Sequence, residues 1–178
     1  MKDTKDNVET KEPKSIKTVI KELIPYVIIV VVVVLIRTYL VTPIIVSGES
    51  MKPTLDGGEL MILNKLGKVD RFDIVVVKFE KNNKKDELIK RVIAMPGETI
   101  SCENGIVYVN GKKQEEPYSK GLTEDFDKVE LADDEYFVMG DNRANSADSR
   151  LFGPFKEKDL KGTTGLVLFP FSKIGKVK

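Results

Sequence analysis

One segment constrains this chain more than any other. From Leu23 to Ile36 the sequence reads LIPYVIIVVVVVLI, with no charged side chain. Arg37-Thr-Tyr39 interrupts the run, and Leu40 to Val46 resumes it. A β-strand is typically ~5–6 residues, so a run of this length is too long for a buried strand. A bilayer core of ~30 Å needs about 20 helical residues. Residues 23–41 therefore predict one transmembrane helix, with Arg37 snorkelling to the interface beside Tyr39. A cleaved leader is the alternative. Against it, the polar segment before the run is long, and no small-x-small site directly follows.

The segment from Met1 to Glu22 is polar, with interleaved charges. It cannot bury enough surface to offset its ordering entropy, and residues 1–22 predict a disordered tail. Lys14, Lys17 and Lys21 precede the span, and only Arg37 closely follows it. The positive-inside rule then predicts a cytoplasmic N-terminus and an extracytoplasmic domain over residues 42–178.

That domain reads as mostly antiparallel β. Strand patterns occupy Arg71–Phe79, Glu87–Met95, Glu135–Met139 and Gly165–Phe169. Thr99–Cys102 and Ile106–Val109 are joined by Asn104-Gly105, and Asn110-Gly111 follows. Asn-Gly is the strongest two-residue hairpin signal, so residues 97–131 predict a small hairpin lobe. Lys81–Lys85 reads as a polar loop and Lys120–Asp134 as an acidic, exposed one.

Composition restricts the chemistry. The chain has no histidine and one cysteine, Cys102. A Ser-His-Asp or Cys-His apparatus, a zinc-protease helix and an internal disulfide are all excluded within it. No metal-ligand spacing occurs, and no cofactor is implied. With 29 Lys+Arg against 28 Asp+Glu, it lacks the basic excess of a nucleic-acid binder. A general base must be a carboxylate, a lysine, a tyrosine or an amine.

Two residues stand out on those terms. Ser50 lies in Val46-Ser-Gly-Glu-Ser50-Met-Lys-Pro53, where Gly48 permits unusual backbone angles and Pro53 stops a strand ladder. Such a turn can present a hydroxyl and its backbone N–H together. Lys90 sits in Leu88-Ile-Lys-Arg-Val-Ile-Ala94, the most apolar setting of any lysine outside the span. Alternation places Leu88, Lys90, Val92 and Ala94 on one face. Burial there would lower its pKa from ~10.4 towards neutrality. Arg91, on the other face, stays protonated and cannot be the base. Read alone, Ser50 is equally a turn serine and Lys90 an edge-strand gatekeeper. A third polar segment, Gly140 to Gly153, could pair Asp148 with Arg150 and use Ser146 to orient a neighbour; a plain polar loop is the alternative.

Taken together, four segments resemble the boxes of the bacterial type I signal peptidases, membrane-bound serine endopeptidases that remove signal peptides. They are Ser47-Gly-Glu-Ser50-Met-Lys-Pro53-Thr, Arg71-Phe-Asp73-Ile-Val-Val, Lys90-Arg91-Val-Ile-Ala-Met-Pro96-Gly97-Glu, and Gly140-Asp-Asn-Arg143 through Ser146-x-Asp148-Ser-Arg150. They stand in family order. The resemblance implies a Ser/Lys dyad, with Ser50 as nucleophile and Lys90 as general base. It also implies that Ser146 hydrogen-bonds the lysine, and that Asp148 and Arg150 hold the loop. Ile44, Val46, Met51 and Ile89 would line shallow pockets for small residues at the cleavage site. Some relatives place a serine two residues before the nucleophile to bind the oxyanion. Gly48 occupies that position, so the Ser50 N–H would act with water or another main-chain group.

The implied partners are signal peptides of exported preproteins and the lipid bilayer, with no nucleic acid and no metal. The implied location is a plasma membrane crossed once, in the compact form common in Gram-positive bacteria. From Arg37 the chain reaches at most roughly 40 Å to Ser50, close to where a cleavage site emerges. Two other readings differ in class: a cytosolic self-cleaving repressor peptidase of the SOS response, and an inactive membrane-tethered binding module.

Overall fold

The computed structural model describes residues 16–81 and 84–177, and all structural statements concern these. The chain divides into two compact units, meeting between Arg37 and Thr38. In the first, helix α1 spans Ile16–Leu35, and a π-helical turn follows over Ile36–Leu40. Val19–Leu40 is long and apolar enough to cross a membrane, and none of it is buried by protein. The helix opens before the apolar run, so the expected unstructured tail is helical from Ile16 to Glu22. Once a helix is nucleated, each added residue gains a hydrogen bond for two fixed dihedrals. Lys17, Lys21 and Glu22 are also good helix formers. Residues 1–15 lie outside the described residues.

The second unit is antiparallel β, as the strand patterns predict. Its strands are β1 (Val41–Ile45), β2 (Leu60–Asn64), β3 (Ile74–Lys81), β4 (Lys84–Ala94), β5 (Thr99–Glu103), β6 (Ile106–Val109), β7 (Lys112–Lys113) and β8 (Phe126–Glu130). They continue with β9 (Glu135–Met139), a one-turn helix α2 (Ser149–Phe152), β10 (Phe155–Lys156), β11 (Leu160–Phe169) and β12 (Gly175–Lys176). The large sheet runs β1-β2-β11-β3-β4-β9-β10, with β12 paired to β11. A smaller sheet runs β7-β6-β5-β8.

Several elements differ from the sequence reading: β2, β7, β10 and β12 are not among the expected strands, β3 starts at Ile74 and not Arg71, and β11 starts at Leu160, five residues before Gly165. Val41 opens β1 and does not close the span; its strand pairs with β2 from Val41↔Asn64 to Ile45↔Leu60. The acidic stretch 120–134 is not all loop. Phe126–Glu130 forms β8, which pairs with β5 and stacks Phe126 on Phe137 at 5.4 Å. Its charges sit on the outer face, where composition hides a half-buried strand. Strand character also extends into the lysine-rich segment, since β3 runs to Lys81 and β4 starts at Lys84.

Asn104-Gly105 and Asn110-Gly111 all take positive φ, between 49° and 75°. That is the type I′ requirement that Asn-Gly meets at low cost. The core divides over the sheet faces. Ile93, Ile100, Cys102, Phe137 and Met139 belong to a cluster joining the two sheets. Val75, Val77, Val92 and Val138 share another. Val46, Met51, Leu55, Met61 and Ile74 form a third, beneath the Ser50 turn. Fully burying an aliphatic side chain is worth ~1.5–3 kcal/mol, so these clusters hold β3, β4 and the turn in place.

Strand β4 positions the site. It pairs with β3 from Lys84 to Arg91, but with β9 only from Arg91 to Ala94. Asp86 to Lys90 therefore have no strand partner on the β9 side among the described residues.

Candidate active site

The Ser50 turn is held from several directions. Val46 and Met51, at either end, are each 2% exposed and anchor it in the core. Gly48 takes φ +81°, a conformation that a side chain disfavours. The Asn142 N–H donates to the Ser50 carbonyl at 3.0 Å, and its side-chain amide donates to the Glu49 carbonyl at 3.1 Å. The Ser50 N–H donates to no group among the described residues.

Lys90 reaches this turn from β4. Its register partner is Val75, and Leu88 and Val92 share its face. Lys90 is 3% exposed, and its Nζ lies 2.7 Å from Ser50 Oγ. Desolvation by this apolar burial lowers its pKa from 10.5 to about 8. Arg150 lowers it further, while Asp148 and Asp141 oppose the shift. A substantial neutral fraction thus exists at mildly alkaline pH, and a neutral amine can accept the hydroxyl proton.

Asp148 and Arg150 form the expected pair. The Arg150 Nε and Nη2 donate to Asp148 at 2.9 and 2.8 Å. The Gly140 N–H donates to the same carboxylate at 2.9 Å. Asp148 also caps α2 by accepting from the Arg150 N–H. Complete burial would raise its pKa, but the Arg150 and Gly140 bonds outweigh that and hold it below the usual value.

Ser146 departs from expectation. Its Oγ is buried and makes no hydrogen bond among the described residues, so it does not bond Lys90. It lies close enough to Asp148 to give the smallest of the contributions that hold that carboxyl down, though not in hydrogen-bond geometry. The hydroxyl instead packs against Gly140: a Cβ there would lie 2.3 Å from Ser146 Oγ and 2.4 Å from the Ser50 carbonyl oxygen.

A cleft of about 320 Å³ opens beside this contact, and Ile44, Ser47, Ser50, Ile89 and Lys90 are in its lining. Val46 and Met51 are not. Their side chains point into the core beneath, where the turn's ends are tied to Leu55 and Met61. Cys102 is buried, and its thiol is pushed up to about 11, mainly by burial and then by Asp125 and Glu116. Among the described residues no acidic or cysteine cluster could hold a metal ion.

Two buried ion pairs escaped the sequence reading. Arg91 is 1% exposed and donates to Asp141 through Nε and Nη2 at 2.8 and 2.6 Å. Its guanidinium lies 4.1 Å from the Tyr118 ring centroid. Arg143 donates to both Glu116 oxygens at 2.8 and 2.7 Å, which bolts the small lobe to the Asp141–Asn142 segment. A charged residue in an apolar strand needs a buried counter-charge. That rule could have flagged a partner for Arg91, though not its identity.

The model of the signal peptidase family, peptidase S26, matches residues 17–169. The chain belongs to this family. A signal peptidase I of Bacillus amyloliquefaciens is 42% identical over 94% of this chain and 98% of its own length. Signal peptidase I S of Bacillus subtilis (strain 168) is 41% identical over 84% of this chain and 89% of its own length. The crystal structure of a signal peptidase I from Enterococcus faecalis V583 is 32% identical, with a TM-score of 0.47, over 55% of this chain and 97% of that one. The region matched by the signal peptidase family contains Ser50, Lys90, Ser146, Asp148 and Arg150.

Proposed function

We infer that this signal peptidase is a serine endopeptidase that removes signal peptides from exported preproteins, with Ser50 as nucleophile and Lys90 as general base. The observation that carries the assignment is the 2.7 Å contact between Ser50 Oγ and a lysine 3% exposed. A nucleophile within hydrogen-bond reach of a base of suitable pKa is the signature of covalent acyl transfer.

The steps follow from the geometry. Neutral Lys90 takes the Ser50 proton as Oγ attacks the scissile carbonyl carbon. The oxygen becomes an oxyanion, which accepts from the free Ser50 N–H; such a donor is worth ~3–4 kcal/mol. As the C–N bond breaks, protonated Lys90 gives its proton to the departing amine, leaving an acyl-enzyme. Water then attacks the ester and loses a proton to Lys90, which returns it to Ser50 Oγ. Asp148 and Arg150 support the site by fixing Gly140, against which the Ser50 carbonyl rests.

The unpaired edge of β4 from Asp86 to Lys90 suits an extended peptide added as a strand. Ile44 and Ile89 offer shallow apolar contacts for small side chains. Helix α1 anchors the enzyme in a plasma membrane, with the N-terminus cytoplasmic and the β domain outside. The lysines on the N-terminal side of the apolar run support that topology, and the Bacillus relatives support a Gram-positive cell.

The test is preprotein processing by detergent-solubilised protein. Ser50→Ala and Lys90→Ala should each abolish cleavage. Normal cleavage by either variant would overturn the dyad.

A further inference from the structure

Glu59 is a buried charge that the proposed chemistry does not use. It is 2% exposed and immediately precedes β2. One oxygen, Oε1, accepts the Asp56 N–H at 2.8 Å and Lys173 Nζ at 3.0 Å. The other, Oε2, is buried with no hydrogen-bond partner among the described residues. A half-satisfied carboxylate is a poor way to fill a core position. A glutamate held there suggests that its geometry serves something besides packing.

Its surroundings indicate what that is. The Glu59 carbonyl accepts the Val46 N–H at 2.9 Å, and the Gly58 N–H donates to the Val46 carbonyl at 2.8 Å. A Cβ on Gly57 would come within 3.0 Å of the Gly48 carbonyl oxygen. The turn 56–59 is therefore the floor under the backbone leading to Ser50. Glu59 closes that turn through Asp56. Lys173, on the 3₁₀ turn Phe171–Lys173, pairs with both Asp56 and Glu59 and ties the floor to the segment after β11. Asn142 holds the Ser50 carbonyl from the other side.

We propose that Glu59, with Lys173, is a positioning residue for the reaction: it fixes the floor turn so that the Ser50 N–H faces the developing oxyanion. This rests on Ser50 being the nucleophile. The expected loss is mainly in kcat, since Ile89 and the β4 edge are held by pairing with β3, and Ile44 by its own pairing with Met61 in β2. A misplacement near 1 Å can cost ~10²-fold.

The experiment measures kcat and KM on the full chain in detergent, with active sites titrated by an acylating inhibitor so that rates are per competent enzyme. Glu59→Gln should lower kcat about 10- to 100-fold, with KM within about twofold and the pH-rate limb unmoved. Lys173→Met should lower kcat about 3- to 10-fold, and the double variant should be no worse than Glu59→Gln, as for groups acting as one unit. Lys128→Met, from an exposed pair on β8, controls for loss of a lysine and should match wild type. A kcat per active site within twofold of wild type for Glu59→Gln and Lys173→Met would overturn the proposal, as would additive losses. Should Glu59→Gln not fold, the half-exposed Lys173→Met decides alone by the same criterion. Ser50→Ala in the same assay separates the two claims. Normal cleavage by it removes the nucleophile reading, whereas inactivity alongside unimpaired Glu59→Gln and Lys173→Met removes only the positioning role.

Discussion

Lys90 Nζ lies 2.7 Å from Ser50 Oγ, although 40 residues separate them in sequence. The amine comes from the middle of an apolar strand and the hydroxyl from a turn pinned by Val46 and Met51. Burial that would be a liability for an idle lysine gives this one the lowered proton affinity that the proposed general base needs.

The first consequence is the pH profile. With the Lys90 pKa lowered to about 8, kcat/KM should rise about tenfold per pH unit below that value and level off above it. No histidine is present to supply the same limb. A limb that persisted after replacement of Lys90 would remove lysine from the mechanism.

Stability should move the other way. The folded-state pKa, about 8, lies below the ordinary value of 10.5. Below pH 8 both states bind the proton, and the folded state bears the full penalty, about 3 kcal/mol at most. Between 8 and 10.5 the unfolded state binds more protons, so stability rises with pH. Lys90→Met should therefore raise Tm at pH 7, with a gain that fades towards pH 10. Denaturation of both proteins across that range checks it.

Arg150→Met should leave Asp148 buried without its main partner, at a cost of about 3 kcal/mol. It should also remove a positive charge that depresses the Lys90 pKa. The activity limb should shift to higher pH, in addition to the fall in Tm. A destabilised variant whose limb stayed at about pH 8 would show that Arg150 acts on the loop alone.

Gly140→Ala tests the packing behind the Ser50 turn. A Cβ there meets Ser146 Oγ at 2.3 Å and the Ser50 carbonyl oxygen at 2.4 Å, and the latter cannot move without the turn. Activity should fall at least 100-fold in the preprotein assay. Adding Ser146→Ala should restore little of it, since the Ser50 carbonyl clash remains.

Cys102 should resist alkylation. Its thiol is buried with a pKa of about 11, so little thiolate exists at pH 8. Native protein should label only on unfolding, with activity unaffected by prior exposure to iodoacetamide.

Much of this was legible in the chain itself. Period-two patterns located six strands, the Asn-Gly pairs marked their turns, and the apolar run marked the helix. Six other strands escaped notice: β7, β10 and β12 are only two residues long, β2 is a short apolar run without a turn signal read beside it, and β1 and β8 have compositions that resemble something else. β1 continues the apolar run and contains Pro43, and β8 hides among acidic residues that face solvent. Of the residues expected to line a pocket, Ile44 and Ile89 line the cleft and Val46 and Met51 do not. Proximity in sequence to Ser50 put Val46 and Met51 on the list, but both side chains are buried with Leu55 and Met61 beneath the turn, which long-range packing decides.

The sequence by itself determined that a chain without histidine needs another base, that one segment is apolar enough to cross a membrane, and that Lys90 is set among aliphatic residues. Local pattern suffices for these, because they depend on residue type and near neighbours. The tertiary structure alone decided that Ser50 and Lys90 meet, that Arg91 finds Asp141, that Ser146 rests on Gly140 without bonding the lysine, and that Glu59 lies under the nucleophile turn. Each of these is a long-range juxtaposition set by strand register and by the packing of buried side chains, which no window of sequence contains.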